Sequence, residues 1–268
     1  MRFSIDHDYH IHSFTSSCAS DPAQTPQSIL QYAKNAGLKR ICLTNHYWDS
    51  AVPGASRWYT PQSFDHIVQD KPLPQADGVE FLFGCETDMN IQGSIGIPPS
   101  RYDDFDFIIV PTTHLHMKNF TILEEDMQSI EKRAQLWVAR FDILLKSDLP
   151  MYKVGIAHLT SGLIYNISHE ATLETLARIS DADLERLFTA SAQCGCGIEL
   201  NYCDMKYIDE PGILRFYRIA KACGNKFYLG SDAHEPKDFP SAPYYERAID
   251  LLELTEDDKF HIGCSSAR

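Results

Sequence analysis

The chain has no apolar run near the roughly 18 residues needed to cross a bilayer, so no membrane partner is expected. It is short of basic residues: 24 Lys and Arg against 37 Asp and Glu give a formal net charge of −13. Nucleic acid calls for clustered Lys and Arg, so it is not an expected partner either. A small anionic substrate stays open, because bound cations can reverse the local sign of a carboxylate-rich pocket. The opening residues, Met1-Arg2-Phe3-Ser4-Ile5-Asp6-His7, break up apolarity too soon for a secretory signal, and a cytoplasmic location is expected. The eight cysteines are irregularly spaced, and Cys194/Cys196 is not the Cys-x-x-Cys of a redox or zinc-ribbon site. No linker or composition shift divides the 268 residues. One domain over 1–268 is expected, a size common for α/β barrels.

What is present is a repeat of apolar runs, each ending in a residue that can bind a metal or handle a proton. They are Phe3–His12, Ile41–His46, Phe81–Glu86, Phe105–His114, Lys153–His158, Gly197–Asn201 and Lys226–His234. Segments of helical spacing separate them. Thr25-Pro26 opens the first as cap and first-turn proline, and Gly37 ends it. Further helices are expected over Pro61–Gln69, Leu123–Lys146, Asp181–Cys194 with Asp181 as cap, Gly212–Ala222 and Ala242–Leu252. Strand–helix alternation implies a parallel sheet with right-handed crossovers. Ligands at so many strand ends favour closure into a TIM-like barrel, which gathers those ends at one mouth.

His10 and His12 lie two apart, so both side chains point to one side of a strand. Asp232 and His234 repeat the pattern, His114 and His116 offer it again in the fourth run, and His46, Glu86 and His158 complete a ring as single ligands. Imidazoles with a few carboxylates suit zinc, iron or manganese.

The motifs Asp8-Tyr9-His10-Ile11-His12-Ser13, Thr44-Asn45-His46, Gly84-Cys85-Glu86, the His114 segment, Ala157-His158 and Gly230-Ser231-Asp232-Ala233-His234 resemble, in order, those of the PHP (polymerase and histidinol phosphatase) family. The resemblance implies a distorted (β/α)7 barrel and two or three divalent transition metals. It also implies hydrolysis of a phosphate monoester by a metal-activated hydroxide, with histidinol phosphate as one candidate substrate. His10, His12, Glu86 and Asp232 would hold one metal. Glu86 would bridge to a second at His114 and His158. His46 and His234 would belong to a third. Glu86, Asp232 and His234 are the expected catalytic residues, with Asp232, or a water beside it, delivering the leaving-group proton.

The chain departs from the pattern twice. Asn45 stands where the family has Asp. The ligand expected after the His-x-His pair is Cys18 by position or Asp21 by chemistry, and Asp21 is preferred. Arg57, Arg101 and Lys118 are candidate phosphate contacts, and His116 is either a substrate contact or a surface residue. Trp58 and Tyr59 would stack a substrate or anchor their loop. Asp8 would orient an imidazole, and Glu199 and Asn201 stay undecided. His7, His66, His169 and His261 lack a strand-end context and are expected at the surface. The competing readings are an amidohydrolase that cleaves C–N bonds and a metal-binding barrel without catalysis.

Overall fold

The computed structural model describes residues 1–241 and 243–263. Its strands are β1 His7–Ile11, β2 Arg40–Leu43, β3 His46–Tyr47, β4 Glu80–Phe83, β5 Cys85–Thr87, β6 Ile108–Pro111, β7 Val154–Ala157, β8 Gly197–Asn201 and β9 Lys226–Gly230. All pairings between these strands are parallel, in a three-stranded sheet β1-β2-β4 and a six-stranded sheet β3-β5-β6-β7-β8-β9. The chain is thus an α/β protein with parallel sheets, as strand–helix alternation requires. Every residue of β1, β6, β7 and β8 is buried, which is the behaviour of strands covered on both faces.

The expected strands over Ile41–His46 and Phe81–Glu86 are each split, at Thr44-Asn45 and at Gly84. Backbone hydrogen bonds nonetheless step across the breaks, from Gly84 N to Leu43 O at 2.8 Å, Cys85 N to Phe107 O at 3.0 Å and Glu86 N to Asn45 O at 3.1 Å. Gly84 is required there, because a Cβ would sit 2.5 Å from Phe107 O and 2.8 Å from Cys42 Sγ. At the other border, Asp232 N donates to His10 O at 2.7 Å and His12 N to Ala233 O at 3.0 Å, joining the last strand to the first.

The helices are α1 Pro26–Ala36, α2 Phe64–Ile67, α3 Ile130–Leu145, α4 His169–Ala177, α5 Asp181–Cys194, α6 Tyr202–Met205, α7 Pro211–Ala222 and α8 Tyr244–Leu251. Thr25 caps α1 through Ser28 N, and Gly37 closes it at φ 68°, a conformation that costs glycine least. Four expectations are corrected. The helix expected over Pro61–Gln69 is the single turn Phe64–Ile67 followed by a 3-10 turn, Val68–Asp70. The helix expected from Leu123 starts at Ile130, where Ser129 accepts from Lys132 N, and Glu124–Asp126 is a separate 3-10 turn. Ser180, not Asp181, caps α5 by accepting from Asp183 N. The fourth helix has no counterpart in the sequence reading, because threonines fill its buried face: Thr172 and Thr175 turn their hydroxyls back to Ser168 O and Ala171 O. Ala242, the expected start of the last helix, lies outside the described residues.

Between sheet and helices, Trp137, Phe141, Leu187, Phe188 and Phe216 are fully buried, each contributing about 1.5–3 kcal/mol of apolar burial. A second cluster, Tyr9, Cys42, Phe107, Ile109, Ala157, Tyr228 and Phe260, packs among the strands.

Candidate metal centre

Strand register sets the site. His46 in β3 pairs with Glu86 in β5, while His10 lies in β1 and His12 follows it. His158 and Asp232 come directly after β7 and shortly after β9, and both take left-handed backbone conformations, φ 31° and 54°. Non-glycine residues in that region carry strain of about 1–3 kcal/mol each, a cost that clusters at functional sites.

Three groups of donor atoms result, each mutually within 4.8 Å: His10, His12, Glu86 and Asp232; Glu86, His114 and His158; and His12, Cys18, His46 and His234. Glu86 is fully buried and divides its carboxylate between them. Its Oε2 lies 3.3 Å from His10 Nε2, 3.4 Å from His12 Nε2 and 3.2 Å from His46 Nδ1. Its Oε1 lies 3.3 Å from His158 Nε2 and 3.9 Å from His114 Nε2. Asp232 Oδ1 is 3.3 Å from His10 Nε2 and 3.1 Å from His12 Nε2.

Buried partners behind the imidazoles fix which nitrogen faces the cluster. Glu199 Oε1 accepts from His10 Nδ1 at 2.7 Å, and its Oε2 accepts from His158 N at 2.7 Å. Asp88 Oδ2 accepts from His114 Nδ1 at 3.0 Å, and its Oδ1 accepts from Arg140 at 2.7 Å. Thr113 Oγ1 lies 2.6 Å from His158 Nδ1. A proton held on Nδ1 of His10 and His114 leaves Nε2 as a lone pair toward the cluster, the arrangement metal-ligating histidines use. Gly230 makes this possible, since any Cβ there would collide with Glu199 Oε1.

The electrostatics follow from this packing. Burial disfavours charge on His10, yet Asp232, Glu199 and Glu86 outweigh it and hold the imidazole well above its ordinary value. Burial likewise opposes the His158 cation, but Glu86 raises it to about 9. Burial works against the Glu86 carboxylate too, and His46 and His10 still hold it well below the usual range. Asp232 behaves in the same way through His10 and His234.

These donors fit divalent transition cations. His10 Nε2 and His12 Nε2 lie 3.1 Å apart, so a proton or a cation has to separate their lone pairs. Among the described residues, His12 Nδ1 is buried without a hydrogen-bond partner. Nitrogen, carboxylate and thiol donors suit the zinc, iron and manganese class.

Several expected residues are placed elsewhere. Asp21 lies outside the donor groups: its Oδ1 accepts from Ala23 N at 2.8 Å and caps a turn, and the Cys18 thiol occupies the third group. Arg101 is not at the cavity; it pairs with Asp49 and Asp104 at 3.1 and 2.9 Å and lies over Phe64. Asp8 orients no imidazole. It accepts from Ser231 N and His10 N, tying the first strand to the last. His7 is buried, not at the surface, and accepts from Leu229 N. Asn45 brings no ligand: its amide donates to Asp70 at 2.7 Å and accepts from Ser13 N at 2.8 Å, so the nearby negative charge sits on Asp70. Asn201 caps the short α6 helix through Cys203 N and Asp204 N.

Arg57, His116, Lys118 and Trp58 line a cavity of about 780 Å³ that opens over Glu86, His114, Asp232 and His234. Burial, with His114 beside it, pushes His116 down to about 4, so it stands there uncharged. Sequence reasoning overlooked Asp88, Arg140 and Thr113. Two of the three had a signal: Asp88 shares strand parity with Glu86, and Arg140 interrupts the otherwise apolar stripe of Trp137, Phe141 and Leu144.

No family model matches the chain. A "Probable phosphatase" from Caldicellulosiruptor saccharolyticus is 25% identical over 258 residues, covering 94% of this chain and 90% of that protein. Among solved structures, histidinol phosphate phosphatase from Lactococcus lactis subsp. lactis, in complex with zinc, L-histidinol and phosphate, is similar at a TM-score of 0.58. It is 21% identical, with 96% of this chain and 94% of that one covered. A Listeria monocytogenes structure, provisionally named a histidinol phosphatase, has a TM-score of 0.59 at 12% identity, covering 90% of this chain and 99% of its own. The two structures share this chain's fold.

Proposed function

We propose that this chain is a metal-dependent phosphatase of the PHP type that hydrolyses a phosphate monoester of a small metabolite. The observation that carries the reading is the split of the Glu86 carboxylate between two sets of imidazoles. The phosphatase name of the Caldicellulosiruptor relative and the zinc and phosphate of the Lactococcus structure support it. His10, His12, Glu86 and Asp232 would hold one cation; Glu86, His114 and His158 a second; and His12, Cys18, His46 and His234 a third. Cations so held would lower the pKa of a water and neutralise phosphate oxygens.

The chain's own groups do the rest. Glu86 keeps the two imidazole sets at one spacing, and Glu199 and Asp88 hold their rings in place. Asp232 and His234 are partly exposed at the cavity, where a water beside Asp232 would pass the proton to the leaving alkoxide. His116, neutral and half-buried, offers hydrogen bonds without adding charge. The joins between β1 and β9 support reading the parallel sheets as one closed, distorted (β/α)7 barrel in a single domain.

Glu86→Gln tests the reading. The variant should fold, lose bound metal by elemental analysis, and lose turnover of a chromogenic phosphate ester assayed with Mn or Zn. Wild-type turnover in that variant, with metal retained, would exclude the bridging role.

A further inference from the structure

The cavity wall differs in character from the donor groups beneath it. Trp58, Met117, Phe120 and Leu163 line it. Buried rings back this surface: Phe120 packs on Trp48 at 5.3 Å and on Tyr59 at 5.5 Å, and Trp58 meets Tyr59 at 4.8 Å. The charged residues on the wall are Arg57 and Lys118. Lys118 is paired with Glu124 at 2.6 Å. Arg57 is exposed and has neither an ion pair nor a side-chain hydrogen bond among the described residues. The carboxylates lining the cavity are Glu86 and Asp232, and both belong to the donor groups.

We propose that the substrate's leaving group is a flat apolar ring on a short alcohol, bearing no cation, with Arg57 excluding ammonium-bearing esters. The proposal rests on the phosphatase reading above. A ring stacked on Trp58 removes apolar surface from water on both partners and gains the added attraction of aromatic pairs. An ammonium in the same place would face Arg57 with no free carboxylate on the cavity wall, among the described residues, to offset it. L-Histidinol, the ligand of the Lactococcus enzyme, carries such an ammonium, so this wall points to a different substrate. The reaction remains hydrolysis. Water's oxygen bonds to phosphorus, and the ester P–O bond breaks with its electron pair on the leaving oxygen. That oxygen takes up a proton, giving the ring alcohol and inorganic phosphate.

Three esters with similar alkoxide leaving groups test this on the Mn- or Zn-loaded protein: 3-phenylpropyl phosphate, its 2-amino derivative (phenylalaninol phosphate) and propyl phosphate. The expected kcat/KM for the first exceeds each of the others at least about tenfold. Trp58→Ala should shrink the phenylpropyl-to-propyl ratio about tenfold, and Arg57→Glu should shrink the discrimination against the amino ester by a similar factor. Turnover of all three with the amino ester preferred, or with no ring preference, overturns the proposal and leaves the phosphatase reading standing. Hydrolysis of none of them, with the chromogenic ester still turned over, overturns the proposal alone; no turnover of the chromogenic ester either overturns both.

Discussion

His10 Nδ1 lies 2.7 Å from Glu199 Oε1, and neither side chain is exposed. An ionised carboxylate can only accept, so Glu199 fixes the proton on Nδ1 and aims Nε2 at Glu86 and Asp232. Glu199 also holds the backbone of His158, so one buried acid registers two ligands from different strands. Replacing such partners lowers metal affinity by about 10–100-fold. Glu199→Gln keeps the shape but loses the charge. Titration calorimetry with Mn should show a loss in that range with the circular dichroism spectrum unchanged; unaltered affinity would make Glu199 a packing residue only.

Asp88 and Arg140 form a pair that is buried on both sides, and His114 leans on the same carboxylate. Removing one partner of a buried pair costs about 3–5 kcal/mol, because the other charge is left uncompensated. Arg140→Met should therefore lower unfolding stability by about that amount in urea titrations. Adding Asp88→Asn should restore part of it, a coupling that independent sites do not show. Additive losses would argue that the two side chains act separately.

The pair also marks where the sequence stops being readable. His10, His12, Glu86, His158 and Asp232 stand out because each follows an apolar run, a local pattern. Arg140 reaches Asp88 across 52 positions, and nothing local announces that contact. The loop after His12 is similar. Its course is set by Ser17 N donating to Gln62 and by Ser13, Thr15 and Asn45 converging on Asp70. Those remote anchors turn Cys18 inward and leave Asp21 in a turn, an outcome that counting residues from His12 does not reach. The parallel α/β architecture was legible because hydrophobic periodicity is local. The late start of α3 was not, since the sequence offers helix-compatible residues on both sides of Ser129 and only the cap chooses between them.

Protonation gives a signed prediction. In the metal-free protein His158 is raised from 6.5 to about 9, burial opposing and Glu86 prevailing. A raised folded-state value means stability that is complete below the unfolded value and is lost as pH rises through about 9. Metal ligation instead needs the neutral ring. The melting temperature in chelator should therefore fall from pH 6.5 toward 8.5, while the gain from saturating Mn grows over the same range. Calorimetry in buffers of different ionisation enthalpy should show protons released on binding at pH 7. Parallel slopes with and without Mn would contradict the placement of His158 in the cluster.

Cys18 gives the third donor group its character. Its thiol is partly buried beside the imidazoles of three histidines. Burial opposes a thiolate there, but His12 and His46 hold the thiol well below its ordinary value. Thiolate donors favour zinc over harder cations, so this group should keep zinc when the others exchange it for Mn. Cobalt reports the difference directly, because a cobalt–thiolate bond adds a near-ultraviolet charge-transfer band that nitrogen and oxygen ligands lack. The cobalt-loaded protein should show the band and Cys18→Ser should not, with one fewer tightly held zinc by elemental analysis. Asp21→Ala should leave both readings as in the unaltered chain. A band that survives Cys18→Ser, or zinc lost from Asp21→Ala instead, would return the ligand to the carboxylate.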